Sequence, residues 1–284
     1  MSVSIVINNF NYARFLGEAI QSAIDQQEPA LEIIVVDDGS TDRSREVIEC
    51  FGDKIQAIFQ PNGGQAAAFN TGIRAAKGEW IWLLDADDSL KPHALRQAKA
   101  LIGPGIARIA MGLERIDADG ASIGTQLCNG GRQFEGSLRD TLLEQGGLPA
   151  IPTSGNLFSR EALLAILPVP ESSFRICADA YLFVMAGKFG RIKLAPEIVA
   201  NYRIHGDNYF YRHNSQNPDP QALSKELENV LLTFELLDDY GQTLRTADHR
   251  KIRRFWLGDQ MLLAILRAKL ARVVPWRARR LAMA

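Results

Sequence analysis

Through the first hundred residues, short apolar runs alternate with helical spacings. Val3–Ile7 is β-branched and short, which predicts a buried strand. Phe15–Gln26 carries Leu16, Ala19, Ile20, Ala23 and Ile24 at a helical interval. Ile33–Val36 predicts a second strand and Asp42–Phe51 a helix, with Ser40 or Thr41 as its N-cap. Ile55–Phe59 predicts a third strand, Gly64–Ala76 a helix, Trp80–Leu84 a fourth strand and Ser89–Leu101 a helix with Pro92 near its first turn. Such alternation argues for a parallel sheet covered on both faces. Sheets of this kind bind ligands beyond the carboxyl ends of their strands.

From Ile106 the pattern changes. Ala107–Ile116, the turn Asp117–Gly120 and Ala121–Gln126 predict a hairpin. Ser137–Gln145, Arg160–Ile166 and Ala178–Phe189 read as helices, and Asn156–Phe158 and Glu197–Arg203 as strands. Asn208–Pro220 is polar with two prolines, hence a long loop, and Leu223–Leu237 and Thr246–Val273 predict helices outside the sheet.

Composition removes several classes. The 284 residues are 46% apolar and 23% charged, enough to bury a core and contrary to disorder. No apolar run nears the roughly 20 residues of a membrane span, and the start lacks a basic n-region, so the expected location is cytoplasmic. Cys50, Cys128 and Cys177 form no CxxC pair. The net charge of −1 carries no nucleic-acid signature, but it is unevenly spread. From Arg245 onward eleven Lys/Arg face two acids, Asp248 and Asp259, which leaves −10 on the first 244 residues. An acidic body that handles anions needs a cation, backbone donors or a few placed basic groups.

Five groups could carry chemistry. Asp37-Asp38-Gly39-Ser40-Thr41-Asp42 follows a strand and suits either a ribose or base contact or a turn with a helix cap. Asp85-Ala86-Asp87-Asp88 follows a buried run; its mutual repulsion would be relieved by Mg²⁺ or Mn²⁺, while a solvated acidic turn is the plainer reading. Asn62-Gly63-Gly64-Gln65 opens a helix, as an anion cradle or an ordinary turn. Asp179, at a helix start, is either a general base or a dipole partner. His205 follows a strand and is a surface residue or a nitrogen ligand that favours Mn²⁺.

Taken together, Val3–Tyr12, Ile33–Asp42, Asn70–Gly78 and Trp80–Asp88 resemble the family 2 glycosyltransferases. The resemblance is strong over about the first hundred residues and thinner to about His205. It implies the GT-A fold: a Rossmann-like, mostly parallel sheet flanked by helices over residues 1–215 (1–103 nucleotide-binding, 104–215 acceptor half), with a C-terminal helical extension over 216–284. It places Asn8, Asn9, Asn11, Asp38, Gly64, Gln65, Asn70, Asp85 and Ala86 around the nucleotide. Asp85-Ala86-Asp87 resembles the DXD motif, with Asp87 on the metal and Asp85 near the ribose. Asp179 would be the base, although Ala178 stands where relatives often carry Glu; His205 would be a further metal ligand.

The implied activity is metal-dependent inverting transfer from a nucleotide-diphospho-sugar, most simply a UDP-sugar, to a saccharide or lipid-linked hydroxyl. Gly146–Ser159 would shape the acceptor side, and Tyr209, Phe210 and Tyr211 would lie in a loop able to cover the donor. Leu257–Leu270 with its arginines and Trp276 reads as a membrane-surface helix, or as a core-packing or homodimer helix. A nucleotidyltransferase would carry a Gly-rich basic loop near the first strand, and an NAD enzyme G-x-G-x-x-G; Ile7–Asn11 has neither. A nucleotide-sugar-binding relative without catalysis is the non-enzyme alternative.

Overall fold

The computed structural model describes residues 1–128, 131–145, 148–149, 151–206, 208, 231–233, 235–236, 239–240 and 242–243. The chain divides into two compact units, Met1–Thr141 with Leu148–Arg203, and Leu142–Gly147 with Ile204–Ala284. In the second unit 231–233 and 235–236 are helical, inside the predicted Leu223–Leu237 helix. The predicted Thr246–Val273 helix, Tyr209, Phe210, Tyr211 and the basic tail lie outside the described residues. Among the described residues no helix is long and apolar enough to cross a membrane.

The first unit is mixed α/β. Its strands are β1 (Val3–Asn9), β2 (Glu32–Asp37), β3 (Gln56–Phe59), β4 (Trp80–Asp85), β5 (Ser89–Leu90), β6 (Ile106–Ile116), β7 (Ser122–Leu127), β8 (Phe134–Gly136), β9 (Asn156–Ser159) and β10 (Arg191–Arg203). Its helices are α1 (Ala13–Ile24), α2 (Ser44–Glu49), α3 (Gln65–Ala75), α4 (Ala94–Leu101), α5 (Leu138–Gln145, which runs into the second unit), α6 (Arg160–Ile166) and α7 (Ala178–Ala186). The sheet order is β3-β2-β1-β4-β9-β6-β10-β5, with β7 on β6 and β8 on β10.

The parallel half follows from its side chains. Val3, Ile5, Val6, Ile7, Ile34, Val35, Val36 and Ile81–Leu84 are buried on both faces, as unbroken apolar strands require. α1 closes one face with Phe15, Leu16, Ala19, Ile20 and Ala23. α3 lies tight on β1 because Gly72 has no side chain; a Cβ there would fall 2.3 Å from Val6 Cγ1. The chain builds β1, β2 and β3 outward and then returns to place β4 on the other side of β1. The β1/β4 boundary is therefore the switch point, and Asn8 stands in register with Asp85 there.

The second half of the sheet is mixed. β9 runs antiparallel between β4 and β6, and β10 runs parallel to β6. β10 starts six residues before its predicted bound and carries Pro196 between the register shifts at Leu194 and Ile198, where a missing N–H is tolerated. Two predicted helices start late. Ser89–Leu90 pair with β10 instead of opening α4. α2 begins at Ser44 without a side-chain cap, because the Ser40 hydroxyl is bonded to Asp37, Asn9 and Asn11.

Candidate active site

The β2–α2 turn is built by the asparagines after β1. Asn9 Nδ2 donates to Asp37 Oδ1 (2.7 Å), and the Ser40 hydroxyl donates to the same oxygen (2.5 Å). Asn11, at a positive φ of 59°, accepts at Oδ1 from the backbone N–H groups of Thr41 (2.7 Å) and Asp42 (3.3 Å). Asn9 and Asn11, expected at the nucleotide, thus use these bonds to fold the rim. Asn8 differs: its Oδ1 is buried without a hydrogen-bond partner, beside the end of β4.

Asp38 is 2% exposed and its carboxylate is occupied by protein donors. Oδ1 accepts from Gln60 Nε2 (2.7 Å) and Gly63 N (2.9 Å), and Oδ2 from Gly64 N (2.7 Å). In this conformation Asp38 presents its oxygens to the glycine turn, and that turn has already spent the N–H groups expected to cradle an anion. The N–H of Gln65 is also spent, on Arg175 O (2.8 Å). Gly64, with φ of 89°, sits against that segment so closely that a Cβ would lie 2.6 Å from Arg175 O.

α3 in fact grips the segment leading into α7. Asn70, expected at the nucleotide, is 1% exposed and bonds Val169 in both directions: Nδ2 to Val169 O (2.9 Å) and Val169 N to Oδ1 (2.8 Å). Gln65 accepts at Oε1 from Ala178 N (2.9 Å) and donates from Nε2 to Asp85 Oδ1 (3.3 Å). One amide thereby ties the acidic turn to the start of α7.

The acidic turn closes with Asp88 N donating to Asp85 O (3.1 Å), and Ala86 is buried within it. Asp85 keeps some exposed surface. Even so, desolvation by the packed surroundings, and then the charges of Asp87 and Asp179, push its pKa up to about 7, against the polar side chains of Asn8 and Thr153. Burial, then Asp87 and Asp85, also raise Asp88 well above the carboxylate range. Asp88 Oδ1 accepts from Arg203 N (2.9 Å), while its buried Oδ2 has no hydrogen-bond partner. Asp87 is half-buried between them.

These acids fit a hard divalent cation. All donors are oxygens, one buried carboxylate oxygen is unbonded, and like charges repel until something neutralises them. Among the described residues no three His, Cys, Asp or Glu side chains form a ready-made cage. Mg²⁺-type sites commonly use one or two carboxylates and draw the rest from substrate oxygens and water.

Asp179 lies in the first turn of α7. Its Oδ2 accepts from Thr153 Oγ1 (3.2 Å) and its Oδ1 from Ala180 N (2.9 Å). Burial raises its pKa, opposed by those two bonds and by the charge of Arg108. Its charge in turn raises Asp85, so the two carboxylates share one electrostatic neighbourhood.

Sequence reading passed over Arg108, although a charged residue inside the otherwise apolar run Ile106–Leu113 was a visible anomaly. Arg108 is fully buried; Nε donates to Asn156 Oδ1 (2.9 Å), Nη2 to Pro149 O (3.1 Å), and the guanidinium stacks 3.8 Å from the Phe183 ring centroid. Burial lowers its pKa to about 9, opposed by Asp179. Asn156 Nδ2 also holds Ile151 O (3.0 Å) and Pro152 O (2.7 Å), shaping the loop that carries Thr153. His205, the expected further metal ligand, belongs to the second unit; its backbone N–H donates to the Asn208 side chain.

A half-parallel, half-mixed sheet with helices on its faces and acids at its switch point defines a GT-A type α/β protein. The chain belongs to glycosyl transferase family 2, whose family model matches residues 4–166. It is 37% identical over 246 residues to the glycosyltransferase alr2836 of Nostoc sp., covering 84% of this chain and 76% of that one. It is 40% identical over 96 residues to chondroitin synthase of Pasteurella multocida, covering 33% of this chain and 10% of that one. Its fold is similar to S. aureus TarS 1–349 in complex with UDP-GlcNAc (TM-score 0.61, 16% identity, 99% of this chain and 86% of that one). It is also similar to the mannosyltransferase PcManGT of Pyrobaculum calidifontis in complex with GDP-Man and Mn²⁺ (TM-score 0.60, 16% identity, 98% and 77%).

Proposed function

We propose that this protein transfers a sugar, with inversion, from a nucleotide-diphospho-sugar to an acceptor hydroxyl, using Mn²⁺ or Mg²⁺, in the synthesis of a cell-surface polysaccharide or glycolipid. A UDP-sugar is the expected donor. The observation that carries this reading is the pairing of an acidic turn at the switch point with a second carboxylate, Asp179, close enough to raise the pKa of Asp85. Proteins of similar fold support it: TarS 1–349 forms a complex with UDP-GlcNAc, and PcManGT with GDP-Man and Mn²⁺.

Asp87, half-buried and flanked by Asp85 and Asp88, would hold the cation. Bound there, a divalent ion supplies positive charge to the diphosphate leaving group. Asn8, with its unbonded Oδ1, and Asp85 face the switch point where the nucleoside would lie. Asp179 takes the proton of the acceptor hydroxyl, and its raised pKa makes it a stronger base than an exposed carboxylate. Thr153 and Ala180 N–H fix the direction of its two oxygens. The loop around Ile151–Thr153, whose Thr153 hydroxyl bonds Asp179, would shape the acceptor side and orient the incoming hydroxyl. The catalytic domain is proposed to cover residues 1–215, with 216–284 as an appended helical segment.

A thermal-shift panel of UDP-, GDP- and dTDP-sugars with and without Mn²⁺ tests the donor, because selective binding raises the melting temperature by mass action. Asp87→Asn should abolish the Mn²⁺-dependent shift and the turnover. Asp179→Asn should abolish transfer and keep the shift; wild-type turnover in that variant would move the base elsewhere.

A further inference from the structure

We propose that Arg203, tethered by Glu18, is the positioning residue that holds the acidic turn in its cation-binding shape. This rests on the reading of Asp85–Asp88 as the cation site. Arg203 is the last residue of β10 and is 1% exposed. It grips the turn twice: its backbone N–H donates to Asp88 Oδ1 (2.9 Å) and its Nε to the carbonyl of Asp87 (2.9 Å). The other end of the guanidinium reaches away from the acids. Nη2 pairs with Glu18 of α1, Cζ lies 5.0 Å from the Phe15 ring centroid, and Nη1 points at the carbonyls of Asp117 and Ala118.

The geometry explains why an arginine stands here. The guanidinium is a rigid planar fork, so fixing Nη2 on Glu18 also fixes the direction of Nε. Nε in turn fixes the Asp87 peptide plane, and with it the starting direction of the Asp87 side chain. Three acids in four residues repel one another, and an unrestrained turn would spread them. A cation would then have to reassemble its own site and would bind more weakly. Lysine keeps the charge, but its three donors radiate from one nitrogen, which cannot reach Glu18 and the Asp87 carbonyl together. The buried positive charge also needs a counter-charge, and Glu18 supplies it from a side chain that is 52% exposed. A surface residue on α1 thereby sets the order of the cation site.

The test is Mn²⁺ binding by the full-length protein, followed by the EPR signal of free Mn²⁺, alone and with UDP or GDP added. Wild type, Asp87→Asn, Arg203→Lys and Glu18→Gln are compared, with circular dichroism and melting curves for each. Asp87→Asn is expected to lose the site. Arg203→Lys and Glu18→Gln are each expected to weaken Mn²⁺ by about tenfold, the loss usual when a group that orients a metal ligand is removed. Glu18→Gln keeps an amide oxygen for Nη2 at a half-exposed position, so it is the milder change and the informative variant if Arg203→Lys does not fold. Mn²⁺ binding at wild-type strength in a folded Glu18→Gln or Arg203→Lys overturns the proposal while the cation site stands. If wild type itself binds no Mn²⁺ with either nucleotide, or Asp87→Asn binds it unchanged, the cation reading falls and this inference falls with it.

Discussion

Replacing Asp38 by Asn separates a fold-holding carboxylate from a ligand-reading one. The side chain is 2% exposed and accepts three N–H donors, from Gln60 Nε2, Gly63 and Gly64. Asparagine has nearly the same shape, so no cavity forms, but it keeps one acceptor oxygen and turns an amide NH₂ toward a group that is itself a donor. Water cannot reach the site to compensate. One buried donor left unsatisfied costs about 1–3 kcal/mol, and the remaining bonds lose the help of a charged acceptor, so the total should be about 2–4 kcal/mol. For a unit of this size, about 2–4 °C is lost per kcal/mol, which gives a fall of about 5–15 °C in melting temperature. Differential scanning fluorimetry on Asp38→Asn, with the exposed Asp53→Asn as control, measures it. An unchanged melting temperature together with weakened UDP binding by calorimetry would show that the Asp38 oxygens serve the nucleotide and that the glycine-turn bonds carry no energy.

Two further outcomes follow from the buried charges. The pKa of Asp85 rises from 3.8 to about 7 on folding, so between those values the native protein keeps a proton that the unfolded chain has released. Stability of the metal-free protein should therefore fall as pH climbs through that window, with Asp88 acting in the same direction. Asp85→Asn should gain more over wild type at pH 8 than at pH 5 in urea melts with EDTA; an equal difference at both pH values would contradict the assignment. Arg108→Met strips Asn156 Oδ1 and Pro149 O of a donor and should cost about 1–3 kcal/mol. It should also lower sugar turnover more than UDP affinity, because Asp179 loses a charge that favours its ionised form. Turnover and affinity falling together would reject that link.

The elements that the residue pattern predicted well are those whose reasons are local. Val3–Ile7, Ile33–Val36 and Trp80–Leu84 are unbroken apolar runs, and an element buried on both faces needs no distant partner to be recognised. The acidic turn was legible for the same reason: three carboxylates in four residues after such a run demand an explanation wherever the chain goes. Where propensity competed with pairing, pairing won. Ser89–Leu90 joined β10 across the sheet, and the Ser40 hydroxyl was drawn to Asp37 rather than to a helix end.

The sequence by itself therefore determined the strand–helix order of the first hundred residues, the position of the acids on the sheet's rim and, through four motifs in order, the family. What each polar side chain bonds was decided by the tertiary structure. Asn70 meets Val169 across 99 residues, Gln65 meets Ala178 across 113, and Arg203 meets Asp87 across 116. Side-chain hydrogen bonds are short and directional, so a motif names the donors and acceptors while only the folded chain chooses their partners.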